Sequence, residues 1–340
     1  MQRKILILIS TLVVAFIFCG AASAATVQNN HLNTTKIVNS ESTVEQYMPA
    51  MDGTRIVWVQ GDSSGRTSIY YKNFATGYKS KVLASTQNQE NPDISGTRVV
   101  WTQYDSSNHS AVYYKNMLTG YSGKVLVSAQ NQTGAKISGT RIVWMQGDPL
   151  HGHIAVYMRI LASGYVGKVY ASTQDQAYPN ISGTRIVWMQ MDSSGHSSIY
   201  LRNLASGYIA KVNASTQDQA YPNISGTRIV WMQMDSLGHS SIYYKNVATG
   251  YLVKVVNSTN TMYITAIDGT RVVWMSLSSI NQSTISYKNL ATESSSKIGT
   301  QCYYPDISGT KIVWFQIDSS NHSSIYMRDL VAGTTKRLIL

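Results

Sequence analysis

Ile94-Ser95-Gly96-Thr97-Arg98-Val99-Val100-Trp101 occurs, with small changes, seven times along the chain. The glycines of the copies are Gly53, Gly96, Gly139, Gly183, Gly226, Gly269 and Gly309, at spacings of 43, 43, 44, 43, 43 and 40 residues. All seven tryptophans (Trp58, Trp101, Trp144, Trp188, Trp231, Trp274 and Trp314) stand at the same place in the copy. One repeating unit therefore governs the chain from about residue 47 to residue 340, and it overrides the two domains that 340 residues would suggest.

Each unit reads as four short strands. A stub ending in Ile-Ser meets a Ser-Gly-Thr turn, and a β-branched and aromatic run follows, such as Arg185-Ile186-Val187-Trp188-Met189-Gln190. A turn from Asp192 to His196 leads to a second run, Ser198-Ile199-Tyr200-Leu201-Arg202. The Ala205 to Tyr208 turn introduces the last strand, Lys211-Val212-Asn213. Pro179 and Pro222 sit before the stub, where a missing N–H is tolerable. No helical periodicity is present after residue 25.

Four strands in about 43 residues predict a blade, and seven units predict an all-β, seven-bladed β-propeller of four-stranded antiparallel blades. Blades stack face to face, so the repeat tryptophans are expected in the core. The pattern P-x-I-S-G-x-R-I-V-W…I-Y…L-x-x-G resembles the TolB-like propeller repeats of secreted archaeal and bacterial surface proteins. It covers about residues 47–340. Such repeats often carry Asp before the third turn, whereas this chain has Asn73, Asn116, Asn203, Asn246 and Asn289, with Asp only at Asp329. The resemblance implies the fold far more than any activity. Two segments look like an outer strand, residues 36–40 and 336–340. The second is expected to pair within the last blade, and the first to add outside it or to close the ring.

Only 13% of the residues are charged, against about 25% in ordinary globular domains. Polarity comes instead from Ser, Thr, Asn, Gln and 23 Tyr, while 43% hydrophobic residues suffice for a core and exclude wholesale disorder. Met1-Gln2-Arg3-Lys4, an apolar run from Ile5 to Cys19, and Ala22-Ser23-Ala24 read as a secretory signal peptide spanning 1–24. An N-terminal segment, 25–47, then precedes the propeller at 48–340. Cleavage after Ala24 would leave Cys302 as the one cysteine and lower the formal net charge from +11 to +9. No later stretch reaches transmembrane length. Export and a cell-surface location are expected, and nucleic acid is disfavoured as a partner despite the basic balance.

The search for chemistry mostly finds repetition. His109, His151, His153, His196, His239 and His322 lie in the turn between the second and third strands. The same turn carries Asp62, Asp105, Asp148, Asp192, Asp235 and Asp318. Each turn offers about two ligands and neighbouring blades hold theirs apart, so no metal is expected. Each Asp is expected to cap its own turn beside a solvated His. His151 and His153 form the one local pair. Gln46, Gln89, Gln132, Gln176 and Gln219 recur seven residues before the turn glycine, where Met262 and Cys302 replace them in two units. They are expected to hydrogen-bond adjacent blades, with a ring of amides facing a glycan or peptide as the alternative. Among nine N-x-S/T sequons, Asn108 and Asn321 stand on exposed turns and are the candidate glycan sites.

No catalytic motif occurs, and residues 173–198 and 216–241 differ at one position, Ser194 against Leu237. Near-identical blades imply equivalent geometry, whereas catalysis needs a unique one. The expectation is therefore a secreted propeller without catalytic residues or cofactor, binding a cell-surface protein, glycan or anionic wall polymer. The weighed alternatives are a propeller polysaccharide lyase or glycosidase, and a structural envelope subunit. Three basic residues per unit, such as Arg55, Lys72 and Lys81, are expected at one end of each blade with the turn aspartates at the other. That would make one face of the disc basic and one acidic.

Overall fold

A computed structural model describes residues 44–338, apart from 149–151, 259 and 279–281. The signal peptide 1–24, the candidate ring-closing strand 36–40 and His151 lie outside the described residues. The rest forms seven four-stranded antiparallel sheets, each built from four consecutive strands. The blades span 46–81, 89–124, 132–168, 176–211, 219–258, 261–300 and 302–337 and are numbered 1 to 7 in that order. The first strand of blade 1 is Gln46–Asp52, so the propeller begins two residues before the expected boundary.

The second strand decides each blade. In Arg185–Met191 the side chains alternate between the two faces of the sheet, yet five consecutive residues are buried, because each face is covered by a neighbouring blade. All seven repeat tryptophans are at most 7% exposed. Six stack on a third-strand tyrosine, Trp58 on Tyr70 at a centroid distance of 5.6 Å for example. A lysine from the fourth strand then covers the outer tyrosine face, as Lys254 does at 5.5 Å from the Tyr243 centroid. Lys81, Lys124 and Lys211 repeat that contact.

The Ser-Gly-Thr turns close the ring. Each turn glycine sits at φ between +59° and +61°, a conformation that favours glycine. Its N–H donates to the side chain preceding the turn glycine in the blade before. Gly96 reaches Asp52 Oδ2 (2.6 Å), Gly139 Ser95 Oγ (3.0 Å), Gly183 Ser138 Oγ (2.9 Å) and Gly226 Ser182 Oγ (2.9 Å). Gly269 reaches Ser225 Oγ (3.1 Å), Gly309 Asp268 Oδ2 (2.5 Å) and Gly53 Ser308 Oγ (2.9 Å). The last of these joins blade 7 to blade 1, so one bond type runs round all seven junctions. Met51 N–H on Asp306 Oδ2 (2.8 Å) and Ser323 N–H on Glu45 Oε2 (2.7 Å) reinforce the same seam. Blade 7 ends in its own fourth strand, Thr334–Arg337, paired with Ser323–Asp329. Among the described residues no blade borrows a strand from another.

The recurring glutamine substitutes for part of a strand. Gln132 is buried, and its Oε1 accepts from Val112 N–H of the preceding blade (3.0 Å). Its Nε2 donates to Leu126 O (3.1 Å) and to Gln146 Oε1 (2.9 Å), which also receives the Trp144 indole N–H (3.2 Å). Gln89, Gln176 and Gln219 make the same set. In those four cases the fourth strand of the preceding blade is three residues long. Where Met262 and Cys302 replace the glutamine, the preceding fourth strands lengthen to Leu252–Ser258 and Ser295–Thr300. Val256 and Gly299 then pair with the third strand at Ile242 and Ile285. A side-chain amide and an extended strand are thus two ways of satisfying one buried ladder.

Candidate functional site

The first strands line a central channel, and each carries a register shift, with two residues set against one in six blades and a single extra residue in blade 6. In five blades the inserted pair ends in proline, which has no N–H to lose from the ladder. The preceding residue takes positive φ: Met48 (49°), Asn91 (51°), Tyr178 (52°), Tyr221 (54°) and Tyr304 (49°). For a tyrosine this backbone costs about 1–2 kcal/mol, and strain of this kind collects at functional positions. The channel encloses about 520 Å³, within the range of ligand-holding cavities.

Here the sevenfold repetition fails. The fourth residue after the glutamine position is Ala50, Asp93, Lys136, Asn180, Asn223, Ala266 and Asp306 in blades 1 to 7. Blades 2, 3 and 7 therefore supply charge, with Lys136 Nζ 3.4 Å from Asp93 Oδ1. Asp93 also accepts Ile137 N–H (2.8 Å) from the next blade. Blades 4 to 7 supply a tyrosine wall: Tyr178 and Tyr221 lie 4.6 Å apart by ring centroids, and Tyr221 and Tyr263 6.4 Å apart. Glu90 stands nearer the turn-aspartate end of the channel, opposite Thr102 in the blade ladder.

Burial sets the protonation of this wall. Desolvation pushes Asp306 up to about 6, offset in part by Met51 N–H and Lys136 and reinforced by Asp93. Asp93 and Glu90 are raised for the same first reason, tempered by Lys136 and by the Tyr104 hydroxyl respectively. Desolvation works against the Lys136 ammonium, but Asp93 and Asp306 outweigh it and hold its pKa above the ordinary value. Tyr104 and Tyr304 are pushed up to about 12, by burial first and then by the Glu90 charge, so both stay protonated at neutral pH.

A pH test follows. The folded pKa of Asp306 exceeds its unfolded value of 3.8, so folded protein binds the extra proton between about pH 4 and 6. This residue's contribution to stability is therefore fully present below that window and declines as pH rises through it. Asp306→Asn removes the dependence. Its stability relative to wild type is expected to improve by about 1–2 kcal/mol from pH 4 to pH 8, channel water capping the effect. Urea unfolding of both proteins at the two pH values checks it.

The residues picked from sequence sit elsewhere. Gln89, Gln132, Gln176 and Gln219 are at most 1% exposed and spend their amides at blade junctions, which corrects the amide ring facing a ligand. The turn aspartates cap their own turns: Asp105 Oδ1 accepts Ser107 N–H (2.9 Å) and His109 N–H (3.0 Å), and Asp192, Asp235 and Asp318 repeat the pattern. His109 Nε2 lies 3.1 Å from Ala129 O, and His239 Nδ1 3.1 Å from Asp235 Oδ2. His196 is exposed, and His322 Nδ1 is 4.0 Å from Asp318 Oδ1. His153 is buried, its Nε2 3.5 Å from Asp148 Oδ2. No described histidine lines the channel, and no group of three His, Cys, Asp or Glu among the described residues could hold a metal. Asn108 and Asn321 are on exposed turns.

The charge separation is incomplete. Third-strand cations are tied to the preceding blade: Lys115 Nζ donates to Val82 O and Lys245 Nζ to Val212 O, both at 2.6 Å, and Arg159 and Arg202 reach Val125 O and Val169 O. In blades 1 to 4 the lysine expected to open the fourth strand instead ends it, at the side of the aspartate turn, where Lys168 Nζ meets Asp148 Oδ2 at 2.7 Å. Packing and pairing thus occupy cations expected to form a basic face.

No protein-family model and no curated protein matches the chain. Solved structures do. A puromycin-hydrolysing peptidase of Mycobacterium tuberculosis superposes with a TM-score of 0.66 at 13% identity, covering 87% of this chain and 53% of that one. This chain thus spans about half the length of that peptidase. TolB from Acinetobacter baumannii gives 0.53 at 14% identity, over 74% and 66% of the two chains. In fold the chain is a TolB-like β-propeller. The propeller domain of the Trilobed protease from Pyrococcus furiosus, described as having an open velcro topology, gives 0.67 at 11% identity over 86% and 95%.

These likenesses correct the expectation that the chain is not an enzyme. The fold recurs in peptidases and in an oligogalacturonate lyase, so near-identical blades and missing motifs do not exclude catalysis. The physical reason is visible in the channel: residues from different blades converge there, and identical outer strands leave that convergence free to vary. The signal was present in the sequence, at the one first-strand position that runs Ala, Asp, Lys, Asn, Asn, Ala, Asp.

Proposed function

We propose that this is an exported, cell-surface propeller that takes a ligand into its central channel, either a small molecule or the end of a glycan or peptide chain. The observation that carries the reading is the break in repeat symmetry at the channel lining, between a charged wall (Asp93, Lys136, Asp306) and a tyrosine wall (Tyr178, Tyr221, Tyr263). A wall able to stack on an apolar face opposite one able to fix polar groups is what a selective site requires. Export rests on the signal peptide, and a glycan at Asn108 or Asn321 would leave the channel clear.

The test blocks the channel. Thr133 lines it, and Thr133→Trp is expected to abolish binding of channel ligands, whereas Leu118→Trp on an exposed outer turn leaves binding unchanged. Saturation-transfer NMR of the three proteins against a panel of sugars, peptides and small ions reads the result. Binding that survives the plug places the site outside the channel.

A second reading, acid–base catalysis in the same channel, is favoured by one observation. Asp306, with its pKa near 6, could hold a proton beside Lys136 close to neutral pH. Turnover with a pH profile that Asp306→Asn alone removes would establish it.

A further inference from the structure

We infer that the channel mouth is a receptor for an organic ammonium ion, held between the Glu90 carboxylate and the tyrosine rings around it. The inference rests on the channel being the binding site. Glu90 lies at the turn-aspartate end of the first strand of blade 2, and the Tyr104 hydroxyl of the same blade hydrogen-bonds to it. Tyr47 of blade 1 and Tyr304 of blade 7 lie close enough to feel its charge. Tyr104 and Tyr304 line the channel together with Glu90, and Tyr47 is buried in the core beside them. Phe315 fixes two of them from behind, stacked on Tyr304 at 5.9 Å and edge-on to Tyr47 at 6.4 Å.

The protein's own cation does not serve this carboxylate. Lys136 is engaged by Asp93 at 3.4 Å, and its level in the ladder lies two positions beyond that of Glu90, about 7 Å at full extension. Among the described residues Glu90 has no ion pair. The ring faces carry negative quadrupole charge, so they add to the carboxylate in attracting a cation and repelling an anion. An ammonium on a short alkyl or ring body would place its charge at Glu90 and its apolar body along the tyrosine wall. A carboxylate-bearing ligand of the same shape would meet repulsion at the mouth.

The experiment titrates the full chain with n-butylammonium, butyrate and n-butanol, following tyrosine ring signals by NMR, with Tyr104→Phe and Tyr304→Phe assigning the mouth residues. The expected result is a saturable shift of the Tyr104 and Tyr304 signals with n-butylammonium alone, about tenfold weaker in Glu90→Gln and about threefold weaker in Tyr304→Leu. Binding of butyrate in preference, or an affinity for the ammonium unchanged by Glu90→Gln, overturns the inference while leaving the channel as a site. If none of the three probes moves a channel tyrosine, the inference fails, while the channel reading on which it rests is decided separately by the Thr133→Trp plug.

Discussion

Trp144→Ala is expected to destabilise the protein by about 3–5 kcal/mol, the range for truncating a fully buried large aromatic. The indole is completely buried, stacks on Tyr157 at 6.0 Å, and donates to Gln146 Oε1 at 3.2 Å. Its removal opens a cavity at the junction of blades 2 and 3 and frees an amide oxygen in the same place. Urea unfolding followed by circular dichroism gives the value. A loss under about 1 kcal/mol would mean that the tryptophan does not hold the junction.

Gln132→Leu is the second large effect, expected at about 2–5 kcal/mol because buried polar groups lose partners with little change in volume. Val112 N–H, Leu126 O and the Gln146 amide all depend on that side chain. The preceding fourth strand, Ser122–Lys124, is too short to take over as Leu252–Ser258 does before Met262. Because Trp144 and Gln132 meet at Gln146, the double variant is expected to lose less than the sum of the singles. Strict additivity in the same unfolding assay would separate the two residues into independent contacts.

Both effects concern residues whose importance was legible in the sequence, because packing and ladder constraints repeat in every blade and repetition exposes them. The tryptophans, the turn glycines and the four-strand reading carried over to the structure directly. The serine or aspartate before each turn glycine, legible only as part of a motif, proves to be the acceptor that joins each blade to the next. The channel was not legible in the same way. Its chemistry lies where blades differ, and sequence spacing does not say that Asp306 of blade 7 and Asp93 of blade 2 both face Lys136 of blade 3. Nor did the X-Pro pairs announce positive φ at Tyr178, Tyr221 and Tyr304, since a residue before proline usually takes an extended backbone. The turn histidines offer polar chemistry, but they sit at the blade edges, where His239 meets its own turn and His109 the connection to the next blade.

The most direct measurement is a backbone amide chemical-shift map of the protein with any binder that the channel plug abolishes. The expected perturbations lie on the inner strands, at residues 90–93, 133–136, 178–180, 221–223 and 304–306, with the outer strands unchanged. Perturbations concentrated on the turns at 62–66, 105–109 and 192–196, with the inner strands silent, would contradict a channel site.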